Sequence, residues 1–185
     1  MIAIADPEWQ SLIRFGLYTG QRLGDLALLT WSSIDLERDE IRLQTRKTGK
    51  RLTIPIAEPL RKVLESLPGS DEPGAPLHPK AFSALQRDGR AATLSNAFVE
   101  LLAQAGLREV QTHQGRGIGR SARRQASQLS FHSLRHTAVS LLKDAGIPEG
   151  VVMELVGHDS KSMSAHYTHV GAEALEKAVA ALPEI

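Results

Sequence analysis

The chain has 185 residues, of which 42% are apolar and 23% charged, with a formal net charge of +1 and no cysteine. This length and composition favour one globular domain with a sizeable core and exclude a disordered chain. The absence of cysteine excludes disulfides and cysteine-based metal sites, and no apolar run reaches the ~20 residues that span a bilayer, so we expect an intracellular protein.

The small net charge conceals two basic segments. Residues 41–70 contain seven Lys or Arg against two Asp or Glu, and residues 111–135 contain five Arg and no acidic residue. The rest of the chain is acidic on balance. Such a separation is expected when one face of a molecule meets a polyanion. Either segment taken alone is also compatible with a solvated loop.

Apolar residues at helical spacing predict two helices near the N-terminus. The first contains Trp9, Leu12, Ile13 and Leu17, and the second contains Leu23, Leu26, Ala27 and Leu29. Thr19-Gly20 interrupts the pattern between them. We therefore expect Arg22 to lie at the turn that opens the second helix.

The apolar period changes to two after residue 40, which predicts an antiparallel hairpin over about residues 40–56. Its apolar positions are Ile41 and Leu43 on one strand and Leu52, Ile54 and Ile56 on the other. Lys47-Thr48-Gly49-Lys50 lies between the strands and gives the hairpin a basic tip. Residues 60–67 are predicted to be helical, and residues 68–79 form a loop rich in Pro and Gly.

The second half of the chain is predicted to be helical apart from one long loop. Apolar periodicity indicates helices ending at Gly106 and covering about residues 131–145, 151–156 and 172–182. Residues 111–128 contain three glycines and four arginines, so they can bury little and are predicted to be a surface loop that contacts phosphate. The predicted fold class is α+β, mainly α, with a small antiparallel sheet packed at one edge.

Arg22 and Arg135 are candidates for a phosphate clamp. A guanidinium stays charged at physiological pH and offers a planar fork of donors, so two of them can neutralise both non-bridging oxygens of a phosphodiester. His132 precedes Arg135 by three residues on a predicted helix, and both could reach one phosphate from its N-terminal end. Taken alone, His-x-x-Arg is a weak signal, and a single arginine more often forms a surface salt bridge.

Tyr167 is the candidate nucleophile. A phenol has a pKa of ~10, so it ionises more readily than serine, and its phosphate ester is a good leaving group for a later attack by a DNA hydroxyl. The free energy of the broken phosphodiester bond is thereby retained in the tyrosine phosphate ester. On position alone, a tyrosine near a C-terminus is usually a packing residue. Tyr18, the other tyrosine, lies in an apolar helical context.

Several short motifs occur in the order typical of one family. They are Thr19-Gly20-Gln21-Arg22-Leu23-Gly24-Asp25, Lys47 at the hairpin turn, His132-Ser133-Leu134-Arg135, Leu155-Val156-Gly157-His158 and Ala165-His166-Tyr167. From about Phe15 to His169 the chain resembles the catalytic domain of the tyrosine recombinases, the phage integrase family. The loop at 111–128 is longer than the minimal family pattern.

The resemblance implies a role for each site residue. Lys47 would be the general acid that protonates the departing 5′ oxygen, with Arg46 and Lys50 as rivals. His132 would accept the tyrosine proton or hold the phosphate, and His158 would donate a hydrogen bond to it. Asp25 would orient the site. The residues expected to contact DNA are Arg46, Lys50, Arg51, Arg116, Arg120, Arg123 and Arg124.

The resemblance also implies a function. We expect a site-specific recombinase or integrase of a phage or other mobile element, acting on double-stranded DNA through a 3′-phosphotyrosine. No metal, ATP or other cofactor and no membrane is expected, and His158, His166 and His169 lack the carboxylate pattern of a zinc site. A homotetramer on paired sites is expected, with residues 172–182 packing on a neighbouring subunit, in the bacterial cytoplasm at the nucleoid.

Residues 1–185 are expected to form a single catalytic domain without the family's N-terminal DNA-clamping domain. A chain of this kind could be a monomer and bind DNA weakly. Two other functions stay open on the sequence. One is a type IB topoisomerase-like enzyme, which shares the chemistry but acts on one strand as a monomer, and the other is a non-enzymatic DNA-binding domain.

Overall fold

The computed structural model of the chain describes residues 1–89, 91–108, 129–157 and 172–183. In this part of the chain the helices are α1 (Pro7–Thr19), α2 (Leu23–Leu26), α3 (Glu58–Ser66), α4 (Pro79–Asp88), α5 (Ala92–Gln104), α6 (His132–Asp144), α7 (Glu149–Val156) and α8 (Ala172–Ala180). The strands are β1 (Ile34–Asp35), β2 (Glu40–Gln44) and β3 (Arg51–Pro55). The predicted α+β class, mainly helical with a small sheet, is confirmed.

Local signals set both ends of α1. The Asp6 carboxylate accepts hydrogen bonds from the backbone N–H groups of Glu8 and Trp9, and Pro7 occupies the first turn. These are the usual features of a helix start. Gly20 ends the helix in the left-handed conformation, with φ of +62°. Arg22 is the N-cap of α2, as predicted.

The sheet has the strand order β1-β2-β3 and is antiparallel throughout. Ile41 pairs with Ile54, and Leu43 with Leu52, so the apolar positions of the predicted hairpin share one face. Ile41 and Ile54 are fully buried, whereas Arg42 and Thr53 between them are exposed. β1 adds a third strand that the sequence did not predict, because two residues are too few to show a period of two.

Helix α1 is the centre of the core and packs closely against α6. A Cβ placed on Gly16 would lie 2.8 Å from the Phe131 ring and 2.9 Å from Leu134, so these side chains fill the space that a larger residue would need. Trp9, Phe98 and Phe131 form an aromatic cluster with centroid separations of 5.1–6.5 Å. Packing around α1 therefore fixes the start of α6, which carries His132 and Arg135.

Helix α4 was not predicted, because its start is stabilised from a distant part of the chain. The Glu8 carboxylate accepts hydrogen bonds from the backbone N–H groups of Lys80 and Ala81. A cap supplied by a residue more than seventy positions away leaves no local signal. Pro79, which we had assigned to the preceding loop, is the first residue of this helix. Two smaller differences are that α3 begins at Glu58 rather than at residue 60, and that α7 begins at Glu149 rather than at residue 151.

His78 joins α1, α2 and α4 through a buried hydrogen-bond network. Its Nδ1 lies 3.3 Å from the carbonyl oxygen of Leu26, and its Nε2 lies 2.9 Å from Ser11 Oγ. A carbonyl only accepts, so Nδ1 carries the proton and Ser11 donates to Nε2. Burial lowers the pKa of His78 to about 4, against a smaller opposing effect of the Leu26 hydrogen bond. The ring is therefore neutral at physiological pH.

The C-terminal helix α8 packs within this chain. It lies against α7 and β3, and Ala178, Val179 and Leu182 are buried in the common core. The Tyr18 hydroxyl donates a 2.6 Å hydrogen bond to the carbonyl oxygen of Pro183. The segment that we expected on a neighbouring subunit thus covers the core of its own chain. None of the described helices has both the length and the apolar character needed to cross a membrane.

Candidate active site

Arg22 lies at the turn between α1 and α2, as the Thr-Gly-x-Arg motif predicted. Its side chain is 29% exposed, and Nη1 lies 3.9 Å from Asp25 Oδ2. At this distance the two side chains form an ion pair, but they are too far apart for a hydrogen bond. Nη1 is buried and has no hydrogen-bond acceptor among the described residues. The described residues therefore hold the guanidinium only loosely.

Arg135 is buried beside the same turn, with 2% of its surface exposed. Its Nη1 donates a 2.7 Å hydrogen bond to the carbonyl oxygen of Gly20, whereas Nε and Nη2 have no acceptor in the described part of the chain. Burial and the nearby Arg22 charge lower the pKa of Arg135 to about 10, and Asp25 opposes this shift. Arg22 and Arg135 are therefore neighbours in space.

Asp25 connects the arginines to the hairpin. It is 5% exposed, and its Oδ1 accepts a 2.9 Å hydrogen bond from the backbone N–H of Arg46, the second residue of the turn between β2 and β3. Its Oδ2 faces Arg22. One carboxylate thus contacts both the arginine turn and the turn that carries Lys47. The orienting role of Asp25 stays a prediction.

Gln21 is a part of the site that sequence reasoning missed. It is 1% exposed, and its amide nitrogen donates hydrogen bonds to the carbonyl oxygens of Thr19 and Leu155. These bonds tie the arginine turn to the last turn of α7, immediately before Gly157 and His158. The only signal in the sequence was a polar residue between two motif residues, which does not reveal its partner.

The turn between β2 and β3 is closed mainly by Thr45, which is 1% exposed. Its N–H donates to the carbonyl of Lys50, its carbonyl accepts from Gly49, and its hydroxyl accepts from the N–H of Lys50. Gly49 has φ of +71°, the left-handed conformation that such a turn requires.

The three candidate general acids differ in their partners. Lys47 is exposed, and its side chain makes no hydrogen bond or ion pair with any described residue. Lys50 Nζ instead lies 2.8 Å from Glu154 Oε2 on α7, and Arg46 is fixed through its backbone to Asp25. Lys47 and the exposed Arg46 guanidinium are therefore available to another molecule, whereas the Lys50 amine is engaged with Glu154. Arg51 is exposed at the start of β3.

His132 and Arg135 lie on one helix but at different depths. His132 is the first residue of α6 and is exposed, and its ring packs edge-on against His136 with a centroid separation of 4.8 Å. Arg135 lies one turn further and is buried. The helix start thus offers an exposed imidazole above a buried guanidinium.

The remaining predicted residues lie outside the described part of the chain. These are His158, Tyr167, Arg116, Arg120, Arg123 and Arg124, together with the histidines weighed as metal ligands, His166 and His169. Within the described ranges, no group of three or more His, Asp or Glu could hold a metal ion.

A family model decides the classification of this arrangement. The model of the phage integrase family matches residues 3–174. The chain belongs to the phage integrase family. The resemblance inferred from the ordered motifs is therefore confirmed.

Curated proteins of the phage integrase family match most of the chain. Tyrosine recombinase XerC of Corynebacterium glutamicum is 33% identical over 162 residues, which cover 86% of this chain and 46% of that protein. The XerC of Bifidobacterium longum is 30% identical, covering 85% of this chain and 42% of the relative. The chain thus spans less than half the length of these two relatives.

Solved structures of phage integrase family members share the fold. The integrase of mycobacterium phage Brujita superposes with a TM-score of 0.63 at 19% identity, covering 97% of this chain and 53% of that chain. The lambda integrase catalytic core gives a TM-score of 0.55 at 22% identity, with 86% of each chain covered. At these identities the likeness establishes the fold.

Proposed function

We propose that this chain is the catalytic domain of a site-specific DNA recombinase that cuts and rejoins double-stranded DNA through a covalent 3′-phosphotyrosine on Tyr167. The observation that carries the proposal is the pairing of Arg135 with Arg22 beside one buried carboxylate. Three nitrogen atoms of this pair, Arg22 Nη1, Arg135 Nε and Arg135 Nη2, have no acceptor among the described residues. Family membership supports the same conclusion.

A phosphodiester is the ligand class that suits this pair. Two cations held together with one carboxylate leave a net positive charge, and an anionic phosphate would satisfy the donors that the protein leaves unpaired. A pKa of about 10 keeps Arg135 charged at pH 7 despite its burial. Donors preorganised in a buried site stabilise developing charge far better than donors in water. The same clamp would supply the neutralisation that other nucleases obtain from Mg²⁺, so no metal or ATP is proposed.

The proposed cleavage step conserves the energy of the broken bond. The Tyr167 oxygen attacks phosphorus, the phenolic proton passes to His132, and the bond from phosphorus to the 5′ oxygen breaks. Lys47 protonates the departing 5′ oxygen, and His158 donates a hydrogen bond to a non-bridging oxygen. The exposure of Lys47 and the engagement of Lys50 with Glu154 favour Lys47 as the acid. Reversal with a new 5′ hydroxyl rejoins the strand.

The DNA contacts and assembly are proposed from charge and family. Arg46 and Arg51 at the hairpin, with Arg116, Arg120, Arg123 and Arg124, would contact the phosphate backbone. The full reaction would need a homotetramer on paired sites and, in a longer protein, an N-terminal DNA-clamping domain. A phage or other mobile element would be the source, and the bacterial nucleoid would be the place of action.

The proposal is tested with a nicked suicide substrate that carries the ends of the element and traps the cleaved strand. A protein–DNA adduct should appear on a denaturing gel and be absent for Tyr167→Phe, whereas Tyr18→Phe should retain it because Tyr18 is bonded to Pro183 in the core. An adduct that persists in Tyr167→Phe would refute the nucleophile. Absence of any adduct from the wild-type protein would refute the proposed enzymatic activity.

A further inference from the structure

Two contacts hold the hairpin turn at Thr45–Lys50 against other parts of the site. At one end, the Arg46 N–H is bonded to Asp25, beside Arg22. At the other end, Lys50 Nζ lies 2.8 Å from Glu154 Oε2, with side-chain exposures of 25% and 43%. Lys47 lies between these two anchors. The turn thus bridges the arginine pair and the last turns of α7.

The second anchor is close to the Leu155-Val156-Gly157-His158 motif. Glu154 lies three residues before Gly157, which has φ of +68° and approaches Leu52 of β3 so closely that a Cβ would lie 2.7 Å from Leu52 Cδ1. The hairpin therefore meets the end of α7 through an apolar contact and an ion pair. The contact between Gly157 and Leu52 positions strand β3, whereas the ion pair between Lys50 and Glu154 positions the turn itself.

We propose that Glu154 is a positioning residue for Lys47, which it acts on by holding Lys50 and with it the turn that presents the general acid. This inference rests on the proposed function. It gives Lys50 a role within the protein instead of a contact with phosphate. A partly exposed ion pair contributes little to global stability, but this one links the end of the turn at Lys50 to α7.

The inference makes a specific kinetic prediction. In single-turnover cleavage at saturating DNA, Glu154→Gln and Lys50→Gln should each be slower than wild type by roughly three- to fivefold. The double variant should be no slower than either single variant, since both remove one interaction. Exchanging the charges, in Lys50→Glu with Glu154→Lys, should restore most of the rate.

A substrate with a 5′-bridging sulfur separates positioning of the acid from a general structural effect. A thiol ionises with a pKa of ~8.5, so a thiolate departs without a proton from the protein. Lys47→Ala, Glu154→Gln and Lys50→Gln should all be slow on the oxygen substrate and all approach wild type on the sulfur substrate. Glu149→Gln is the matched control, because Glu149 lies on the same helix in an ion pair with Lys143 of 3.3 Å. Its rate should be unchanged on both substrates.

The outcomes that overturn the inference are distinct from failure of the proposed function. If Glu154→Gln slowed cleavage equally on both substrates, or on neither, the inference would be overturned. The proposed recombinase would still stand in that case if the wild-type protein formed the adduct. If the sulfur substrate did not restore the cleavage rate of Lys47→Ala, Lys47 would not be the general acid. The inference that Glu154 positions it would then be overturned as well. Absence of the wild-type adduct would refute the proposed function.

The tether itself can be measured without DNA. The chain has no cysteine, so Lys47→Cys gives a single position for a neutral nitroxide label. The electron paramagnetic resonance spectrum should report greater mobility of the label when Glu154→Gln is added and no change when Glu149→Gln is added. Identical spectra in the three proteins would contradict the tether, whatever the chemistry of the domain.

Discussion

At the scale of single residues, the two arginines of the clamp differ in what they do for the fold. Arg135 is buried and bonded to the Gly20 carbonyl, whereas Arg22 is partly exposed and, within the described ranges, its side chain has a loose ion pair with Asp25 as its one polar contact. Arg135 therefore contributes to the structure of the turn as well as to the proposed chemistry. Arg22 contributes mainly to the chemistry.

Substitution of each arginine by alanine should separate these contributions. Both Arg22→Ala and Arg135→Ala should slow cleavage by roughly a hundred- to a thousandfold, the usual cost of one preorganised donor. Arg22→Ala should lower the free energy of unfolding by less than about 1 kcal/mol. Arg135→Ala should lower it by roughly 1–3 kcal/mol, because the Gly20 carbonyl is left unpaired. Single-turnover cleavage and urea unfolding measure the two effects, and equal destabilisation by both variants would be the contrary result.

The buried His78 makes stability depend on pH. Its pKa in the folded state is about 4, below the ordinary value of 6.5, so the unfolded chain binds the proton more tightly. The contribution is fully present above pH 6.5 and is lost as the pH falls from 6.5 towards 4. We expect the chain to be about 2 kcal/mol less stable at pH 5 than at pH 8 through this residue. Urea unfolding at both pH values measures the loss of unfolding free energy, which should be smaller in His78→Gln than in the wild type. An equal loss in the two proteins would contradict the role of His78.

Sequence predicted the residues of this site better than their partners. Arg22, Lys47, His132 and Arg135 could be proposed from the sequence because residue type and short motifs are local properties. Gln21 and Glu154 could not, because a polar side chain shows its role only when the carbonyl of Leu155 or the amine of Lys50 is beside it. The depth of Arg135 was likewise unpredicted.

At the scale of elements, the end of α7 is fixed by one glycine. Gly157 adopts the left-handed conformation and packs against Leu52, so a side chain there meets both backbone strain and a collision. Gly146 ends α6 with φ of +75°, and no atom of the described chain lies within 4 Å of the position of its missing Cβ. A side chain would be strained by the left-handed backbone at both glycines, but it would collide with Leu52 at Gly157 and meet open space at Gly146.

Replacing each glycine by alanine should measure that contact. Gly146→Ala should cost about 1 kcal/mol of unfolding free energy from backbone strain alone. Gly157→Ala should cost roughly 1–3 kcal/mol more, because the methyl group must displace Leu52. Gly157→Ala should also slow cleavage, since His158 follows directly. Chemical denaturation of both variants provides the comparison, and equal losses would mean that the Leu52 side chain moves aside freely.

Elements with strong local patterns were predicted correctly, including their pairing. The β2-β3 hairpin has the predicted apolar face, because a period of two and a turn signal together determine its register. Helix α4 and strand β1 were missed. The first is capped by Glu8, and the second is held by pairing with β2, so neither depends on its own sequence alone.

At the scale of the whole molecule, α8 closes the core around α1, α7 and the sheet. Leu182 is 6% exposed, and the Tyr18 hydroxyl donates a hydrogen bond to the carbonyl oxygen of the next residue, Pro183. The described chain therefore has a core that includes its own C-terminal segment. A contact of the buried face of α8 with a neighbouring subunit would require that packing to be given up.

Truncation of Leu182 tests whether α8 belongs to the cooperative core. Leu182→Ala should lower the free energy of unfolding by about 2–3 kcal/mol, because a buried leucine loses its contacts and leaves a cavity. Leu107→Ala is the control, since Leu107 is 51% exposed and should change stability by less than about 0.5 kcal/mol. Calorimetric or urea unfolding distinguishes them. If the two variants had the same stability, α8 would be only loosely docked.

The sequence by itself determined the family, the fold class, the hairpin and the order of the motif residues. These properties follow from periodicity, turn chemistry and residue type, all of which act over a few neighbouring positions. Only the tertiary structure decided that Arg135 is buried beside Arg22, that Asp25 and Gln21 join three elements, and that Lys50 is paired while Lys47 has no partner among the described residues. Those facts depend on contacts between residues 21 to 134 positions apart, whose geometry is set by packing of the whole core and leaves no local pattern.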